Sequence, residues 1–380
     1  MRTDFDFIVA GLGAMGSAAV YHLAADGSRV LGLDRFHPPH ELGSSHGRSR
    51  IIREAYFEHP LYVPLVQRAY ELWRELEERS GRQLLRQTGG VMIGRADGAL
   101  VSGAKRSARE HELQHEILSS SLLRERFPVL NPSGDTVGVW EPRAGVLFPE
   151  LAVQTHLEQA ARHGAHLLFD NPVMSWNADK EGVKVSTASG SYNAKGLLLS
   201  SGAWISGLLA GLRLPLAVER QVLFWFEPRA DAEGFAPDRC PIFIWEYEPG
   251  RFFYGFPNLG DGVKIAIHHQ GQTATPESIN REVSENEIEG VRAVLKRFIP
   301  NANGALKSSV VCMYTNTPDE HFLLDFHPAH RQVLIASPCS GHGFKFSPVI
   351  GEIAARLLKG EEVGFDLSLF SLKRFGSVTR

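Results

Sequence analysis

The sequence predicts an α/β protein, with a Rossmann-like dinucleotide-binding domain into which a second, strand-rich domain is inserted. Three observations carry this. Gly11, Gly13 and Gly16 stand between a short apolar run and a helical one, and Asp34 closes the next apolar run. Residues 217–270 are dense in aromatic and β-branched strands. A second apolar strand, 332–338, leads through a glycine-rich loop into a helix ending near Gly360.

Each part of the first motif has a physical task. Gly11 permits the tight turn out of the strand, Gly13 lets backbone approach a pyrophosphate, and Gly16 lets the helix pack close to the sheet. The positive N-terminal end of that helix faces the phosphates. Asp34 lies 23 residues beyond Gly11, where an acid accepts hydrogen bonds from a ribose diol. Strand, glycines, small-residue helix, second strand and acid together point to an adenine dinucleotide; a glycine triplet alone would not.

Composition suits an enzyme with a sizeable core. A chain of 380 residues exceeds the size at which single cores stop growing, so two intertwined domains are expected. A net charge of −3 argues against a general nucleic-acid binder. No apolar run approaches the roughly 20 residues that span a bilayer, and MRTDFDFIVAG enters the first strand without a leader-like segment. Cys240, Cys312 and Cys339 make neither a disulfide framework nor a metal-site spacing. A reduced, cytoplasmic location is expected, with no membrane, metal or nucleic-acid partner.

Residues 4–34 read βαβ. Residues 61–79 place apolar side chains at helical spacing with a charged opposite face. Residues 182–202 read as a hairpin turning at Ser189-Gly190, and its second strand ends in small residues beside Ala203-Trp204. The helix after SGHGFK offers a second anion-binding N-terminus.

Three further segments hold the chemistry. SSHGRSRIIR packs His46, Arg48, Arg50 and Arg53 together, either as a solvated basic turn or, given the flanking Ile51-Ile52, partly facing inward. YGFPNLGDGVKIAIHH carries Tyr254, Lys264 and His268. Positions 264 and 268 share a strand face; the lysine is either buried at a cost to its charge or an edge residue with its head in solvent. VVCMYTNTPDEHF carries Cys312, Tyr314 and Asp319, and a lone cysteine after two valines also suits an inert core.

Taken in order, GLGAMG with Asp34, SSHGRSRIIR, YGFP with Lys264 and His268, CMYTNTPDEHF and SGHGFKFSP give the chain a family likeness. From Phe5 to Leu369 it resembles the monomeric sarcosine oxidase and N-methyltryptophan oxidase family of flavoenzymes. The resemblance implies a glutathione-reductase-type FAD-binding domain from residues 1–86, 146–216 and 312–372. It implies a substrate domain on a mixed β-sheet from residues 87–145 and 217–311. It also implies FAD attached covalently to Cys312 through the flavin 8α-methyl, in a basic neighbourhood suited to a thiolate. Cys240 and Cys339 match no attachment position.

The implied reaction oxidises a secondary amino acid such as sarcosine or another N-methyl amino acid. An imine forms and water hydrolyses it, while dioxygen takes the electrons to give hydrogen peroxide; a monomer is implied. Arg53 and Lys345 match the carboxylate-binding pair, a fork and a point charge. Arg50 and His46 match residues near the flavin ring, where positive charge stabilises the reduced form. Lys264 matches the site of dioxygen activation, and His268, Tyr254 and Tyr314 the pocket lining. Gly341, Gly343 and Lys345 belong to the flavin-side loop.

Departures bear on the substrate. Arg48-Ser49 stands where relatives often carry an Asp-Thr pair, and Trp245 stands where sarcosine enzymes carry a smaller side chain. If Trp245 faces the pocket, it shrinks the space or supplies a stacking wall. Two other functions compete: an oxidase or dehydrogenase of a cyclic imino acid such as pipecolate or proline, and an NAD-dependent or non-catalytic nucleotide binder. The GHGFK loop and Cys312 speak against the last, and Lys264 favours dioxygen as acceptor.

Overall fold

The computed structural model describes residues 4–209, 211–337 and 340–376. The chain opens β1 (Phe5–Ala10), α1 (Ala14–Ala25), β2 (Val30–Leu33), β3 (Arg50–Ile52) and α2 (Tyr62–Ser80). β1 and β2 run parallel, with Gly190–Leu199 on the other side of β1 and His166–Leu168 beyond β2. These strands are apolar almost throughout because parallel sheets are covered on both faces. Gly190–Leu199 divides its pairing. Its first half meets Gly182–Thr187 antiparallel, across the expected hairpin turn, and its second half meets Val333–Ile335 in parallel.

α1 is small or apolar nearly all round, and it is buried nearly all round. Helices Pro149–Arg162 and Ser347–Lys359 both pack against it. α2 turns Leu65, Ala69, Leu72, Trp73 and Leu76 into the core and stops at Gly81, which takes the left-handed conformation of a helix end.

Among the described residues the second sheet has nine strands. Its order runs Thr273–Ala274, Ala217–Phe226, Val263–His268, Arg251–Phe256, Ile242–Glu248, Gly90–Arg95, Thr136–Glu141, Glu116–Ser119. Leu306–Asn316 pairs along the length of Ala217–Phe226. That strand runs straight through the boundary expected at residue 312, so Cys312 lies in the second sheet, opposite Gln221. One face of this sheet carries Phe226, Phe243, Trp245, Phe253 and Ile265 against helix Glu285–Phe298. The helix starts on a reciprocal Ser284–Glu287 capping box. The other face looks toward the first sheet. β3, Gly145–Leu147 and Leu85–Gln87 form a small third sheet beside the space between them. No described helix is long and apolar enough to cross a membrane.

Candidate active site

A cavity of about 640 Å³ runs between the two large sheets, from Gly11, Gly13, Asp34 and Arg35 at one end to Tyr254, His268, Tyr314 and Lys345 at the other. At the first end Gly11 has φ +96°, and a Cβ there would fall 2.6–2.8 Å from the Ser200 and Ser201 backbone. Only glycine fits that turn. Gly16 does not line the cavity. It is where α1 abuts Gly11 and Ser200, the packing task expected of it. Gly13, Ala14 and Met15 bring the positive end of α1 to the cavity. Asp34, 8% exposed, accepts from Leu12 N at 2.6 Å and Phe36 N at 2.8 Å, which fixes its carboxylate at the strand end. Burial raises its pKa against the pull of those two amides. The open glycine face, helix terminus and fixed acid suit the ribose and pyrophosphate of an adenine dinucleotide.

The middle of the cavity is basic and held by backbone carbonyls. Arg50 donates to Ser49 O and Ser44 O, each at 2.8 Å, and its Nη2 lies 3.7 Å from Cys312 Sγ. Arg50 and Cys312 both line the cavity. Lys264 is 2% exposed, and its strand is central, with Trp225 paired on one side and Phe256 on the other. The solvent-edge reading of this lysine is therefore excluded. Its Nζ donates to Gly47 O at 2.7 Å, Ser49 O at 2.9 Å and Ser49 Oγ at 3.0 Å, which uses all three ammonium protons. Burial, with Arg50 adding to it, holds the Lys264 pKa well below the usual lysine range. Lys264 stands one layer behind the wall, with Ser49 in front of it.

His46 corrects an expectation. It is 1% exposed and does not line the cavity. Burial and the Arg50 charge push its pKa down to about 3, so it is neutral. The positive field expected at the cavity's centre comes from Arg50, not from this imidazole.

At the far end Tyr314 OH lies 3.2 Å from His268 Nδ1 and 3.4 Å from Tyr254 OH. Burial, with the neighbouring His269, keeps His268 well below the usual imidazole range. Burial also raises both tyrosines. These walls are polar and uncharged near neutrality. Gly341, at φ +75°, lets the loop pass flat over the pair, since a Cβ would lie 2.7 Å from the Tyr314 ring and 2.8 Å from the His268 ring. Gly343 lines the cavity beside it, just before the helix that contains Pro348.

Arg53 and Lys345 meet here as well, in different states of engagement. Arg53 is 1% exposed, and its Nη2 bonds both Glu58 oxygens at 2.7 Å. Lys345 donates to His342 O at 2.6 Å and Tyr56 OH at 3.3 Å, and burial, with Arg53 beside it, brings its pKa to about 7. Glu58 was invisible to motif reading. The signal that could have found it is the need of a buried arginine for a counter-ion.

Trp245 is the second correction. It is not in the cavity wall but stacked on Phe253 at 5.7 Å and against Phe298 at 4.9 Å, under helix Glu285–Phe298. Strand side chains alternate, and Ile244, not Trp245, is paired with Tyr254 and faces the cavity. Cys339 lies outside the described residues.

Known proteins show where this arrangement belongs. Residues 6–357 match the family model for FAD dependent oxidoreductase. Monomeric sarcosine oxidase of Streptomyces avermitilis is 46% identical, over 99% of this chain and 99% of that protein. N-methyl-L-tryptophan oxidase of Salmonella heidelberg is 38% identical, over 98% and 99%. Among solved structures, a Tyr258Phe mutant of NikD, an amino acid oxidase, superposes with a TM-score of 0.85 at 22% identity, covering 97% of each chain. Glycine oxidase from Geobacillus kaustophilus superposes with a TM-score of 0.81 at 22% identity, covering 97% of this chain and 98% of that one. With near-full-length identity of this order behind the two-sheet cavity, the chain belongs to the FAD-dependent oxidoreductases, as a homologue of the monomeric sarcosine and N-methyltryptophan oxidases.

Proposed function

We propose that this enzyme oxidises the C–N bond of an N-methyl amino acid, with dioxygen as electron acceptor and hydrogen peroxide as product. The carrying observation is that Arg53 and Lys345 line one cavity with uncharged Tyr254, His268 and Tyr314, close enough for both cations to act on the His268 pKa. A bound FAD supplies acceptance of two electrons from the carbon beside the substrate nitrogen. The chain supplies the rest. Arg53 and Lys345 bind the substrate carboxylate, Arg53 exchanging Glu58 for the incoming anion. The uncharged walls receive the amine without a competing negative charge, which favours its neutral form beside these cations. Arg50 holds positive charge against the reduced cofactor, and Lys264 adds a buried charge for the oxygen step.

Cys312 is the residue we assign to a thioether link with the flavin. Its cavity-facing sulfur beside Arg50 supports the assignment, and the buried Cys240 lies away from the cavity. Residues 87–145 and 217–311 form the substrate side in this reading. The enzyme acts as a cytoplasmic monomer.

The test is a panel of sarcosine, larger N-methyl amino acids, N-methylamines without a carboxylate, proline and pipecolate, read by peroxide release. Peroxide from N-methyl amino acids and little from the simple amines is the expected pattern. Turnover of only the cyclic imino acids, or equal turnover of carboxylate-free amines, would overturn the substrate class.

A further inference from the structure

Behind Lys345 lies a chain of buried hydrogen bonds whose donor and acceptor directions are all fixed. His342 Nε2 lies 2.9 Å from the carbonyl oxygen of Glu320. A carbonyl only accepts, so Nε2 carries the hydrogen. Burial, with Glu58 opposing it, pushes the His342 pKa down to about 3, so the ring is neutral and Nδ1 holds a lone pair. Tyr56 OH is 2.6 Å from that Nδ1 and must donate to it. Its proton being committed, the phenol oxygen is left to accept, and Lys345 Nζ is 3.3 Å away. The ammonium gives a second proton to His342 O at 2.6 Å. Lys345 lines the cavity, so its third proton remains for an anion there. Tyr56 is 0% exposed and Lys345 5%, so this part of the chain is buried.

We infer that Tyr56 and His342 are positioning residues for substrate-carboxylate recognition: the Glu320 carbonyl sets the His342 tautomer, His342 orients the Tyr56 hydroxyl, and Tyr56 presents an acceptor that keeps Lys345 aimed and charged. An acceptor directed at an ammonium favours its charged form. It offsets part of what burial, Arg53 and Arg50 do to Lys345, while Glu58 assists it. The relay rests on the carboxylate role given to Lys345 above.

The experiment titrates the flavin-loaded enzyme with methoxyacetate, a carboxylate without an amine, by the change in flavin absorbance at a series of pH values. Binding to the ammonium is present below the Lys345 pKa and lost above it. Tyr56→Phe should weaken binding at pH 7 about tenfold or more and move the alkaline loss to lower pH. With N-methyl amino acid substrate, KM should rise while kcat at saturation stays within a few-fold. His342→Asn keeps an acceptor near Tyr56 and should retain most of the affinity; His342→Leu removes it and should match Tyr56→Phe. This pair decides the matter if Tyr56→Phe fails to fold. Unchanged affinity and pH profile in Tyr56→Phe, or equal losses in His342→Asn and His342→Leu, would overturn the relay alone. If wild-type enzyme binds no carboxylate at this end, the role given to Lys345 falls, and the relay with it.

Discussion

Replacing Glu58 by Gln should weaken the fold and strengthen carboxylate binding, two effects of opposite sign from one charge. Arg53 and Glu58 have 2% and 13% of their side chains exposed, so their ion pair is largely dry. Arg53 Nη1 is spent on Ala55 O at 3.1 Å, and Nη2 serves both Glu58 oxygens. An incoming carboxylate therefore meets an arginine already neutralised. Burial pushes the Glu58 carboxyl up, but Arg53, with His342 and Lys345 adding to it, holds the group below the usual carboxylate range. The pair's stabilisation is thus fully present above the unfolded pKa and is lost only as pH falls through the lowered native value.

Losing one partner of a buried pair costs about 3–5 kcal/mol. A Gln side chain keeps a neutral polar contact worth about 1 kcal/mol, leaving a net loss of about 2–4 kcal/mol. Affinity moves the other way. The ligand now takes a charge-assisted bond that only a neutral amide contests, a difference of about 1 kcal/mol or more, or at least fivefold in Kd. Urea denaturation and methoxyacetate titration of the same preparations read both effects. Glu58→Gln enzyme that binds carboxylate no more tightly than wild type would refute the idea that Glu58 and substrate share Arg53.

Three other outcomes are expected. Lys264→Met should slow reoxidation of the reduced flavin by two orders of magnitude or so, about 3 kcal/mol, while reduction by substrate falls much less; stopped-flow traces with equal losses in both half-reactions would make Lys264 purely structural. Cys312→Ala should release its flavin into the supernatant on acid precipitation, whereas wild-type protein stays yellow. Trp245→Ala should cost about 3–5 kcal/mol of stability by opening the core beneath helix Glu285–Phe298, and the ranking of substrates should not change; a shifted ranking would return Trp245 to the pocket.

Much of the site was legible because its signals are local. Gly11 and Asp34 are set by one strand, one turn and one strand, so spacing alone places them. Lys264 was ambiguous because burial depends on strand neighbours: Trp225 and Phe256 flank it in a sheet whose order no local pattern reveals. Trp245 failed for a simpler reason. Tyr254 pairs with Ile244, and a residue one step away on a strand points to the opposite face. His46 escapes local reading because basic residues in a cluster do not all carry charge: burial, with Arg50 at close range, leaves this imidazole neutral. Glu58 and Tyr56 belong to no motif, and His342 sits inside SGHGFK without a role that its position in the motif reveals. Their importance comes from burial beside cations, which is a property of the packed molecule.

The divided strand Gly190–Leu199 sets the timing of assembly. Its parallel neighbour comes from residues 333–335, and α1, packed early by helix Pro149–Arg162, is not fully covered until helix Ser347–Lys359 exists. At ribosomal rates of about 5–20 residues per second, the opening βαβ unit waits roughly 15–60 s for these partners. For that interval it is an unfinished sheet with a half-covered helix, a natural client for chaperones. The loop at Gly341–Lys345 that closes the cavity is made in the same final stretch. Cofactor capture is thereby deferred to a nearly complete chain, so a prematurely terminated product has neither a finished sheet nor a closed nucleotide cleft.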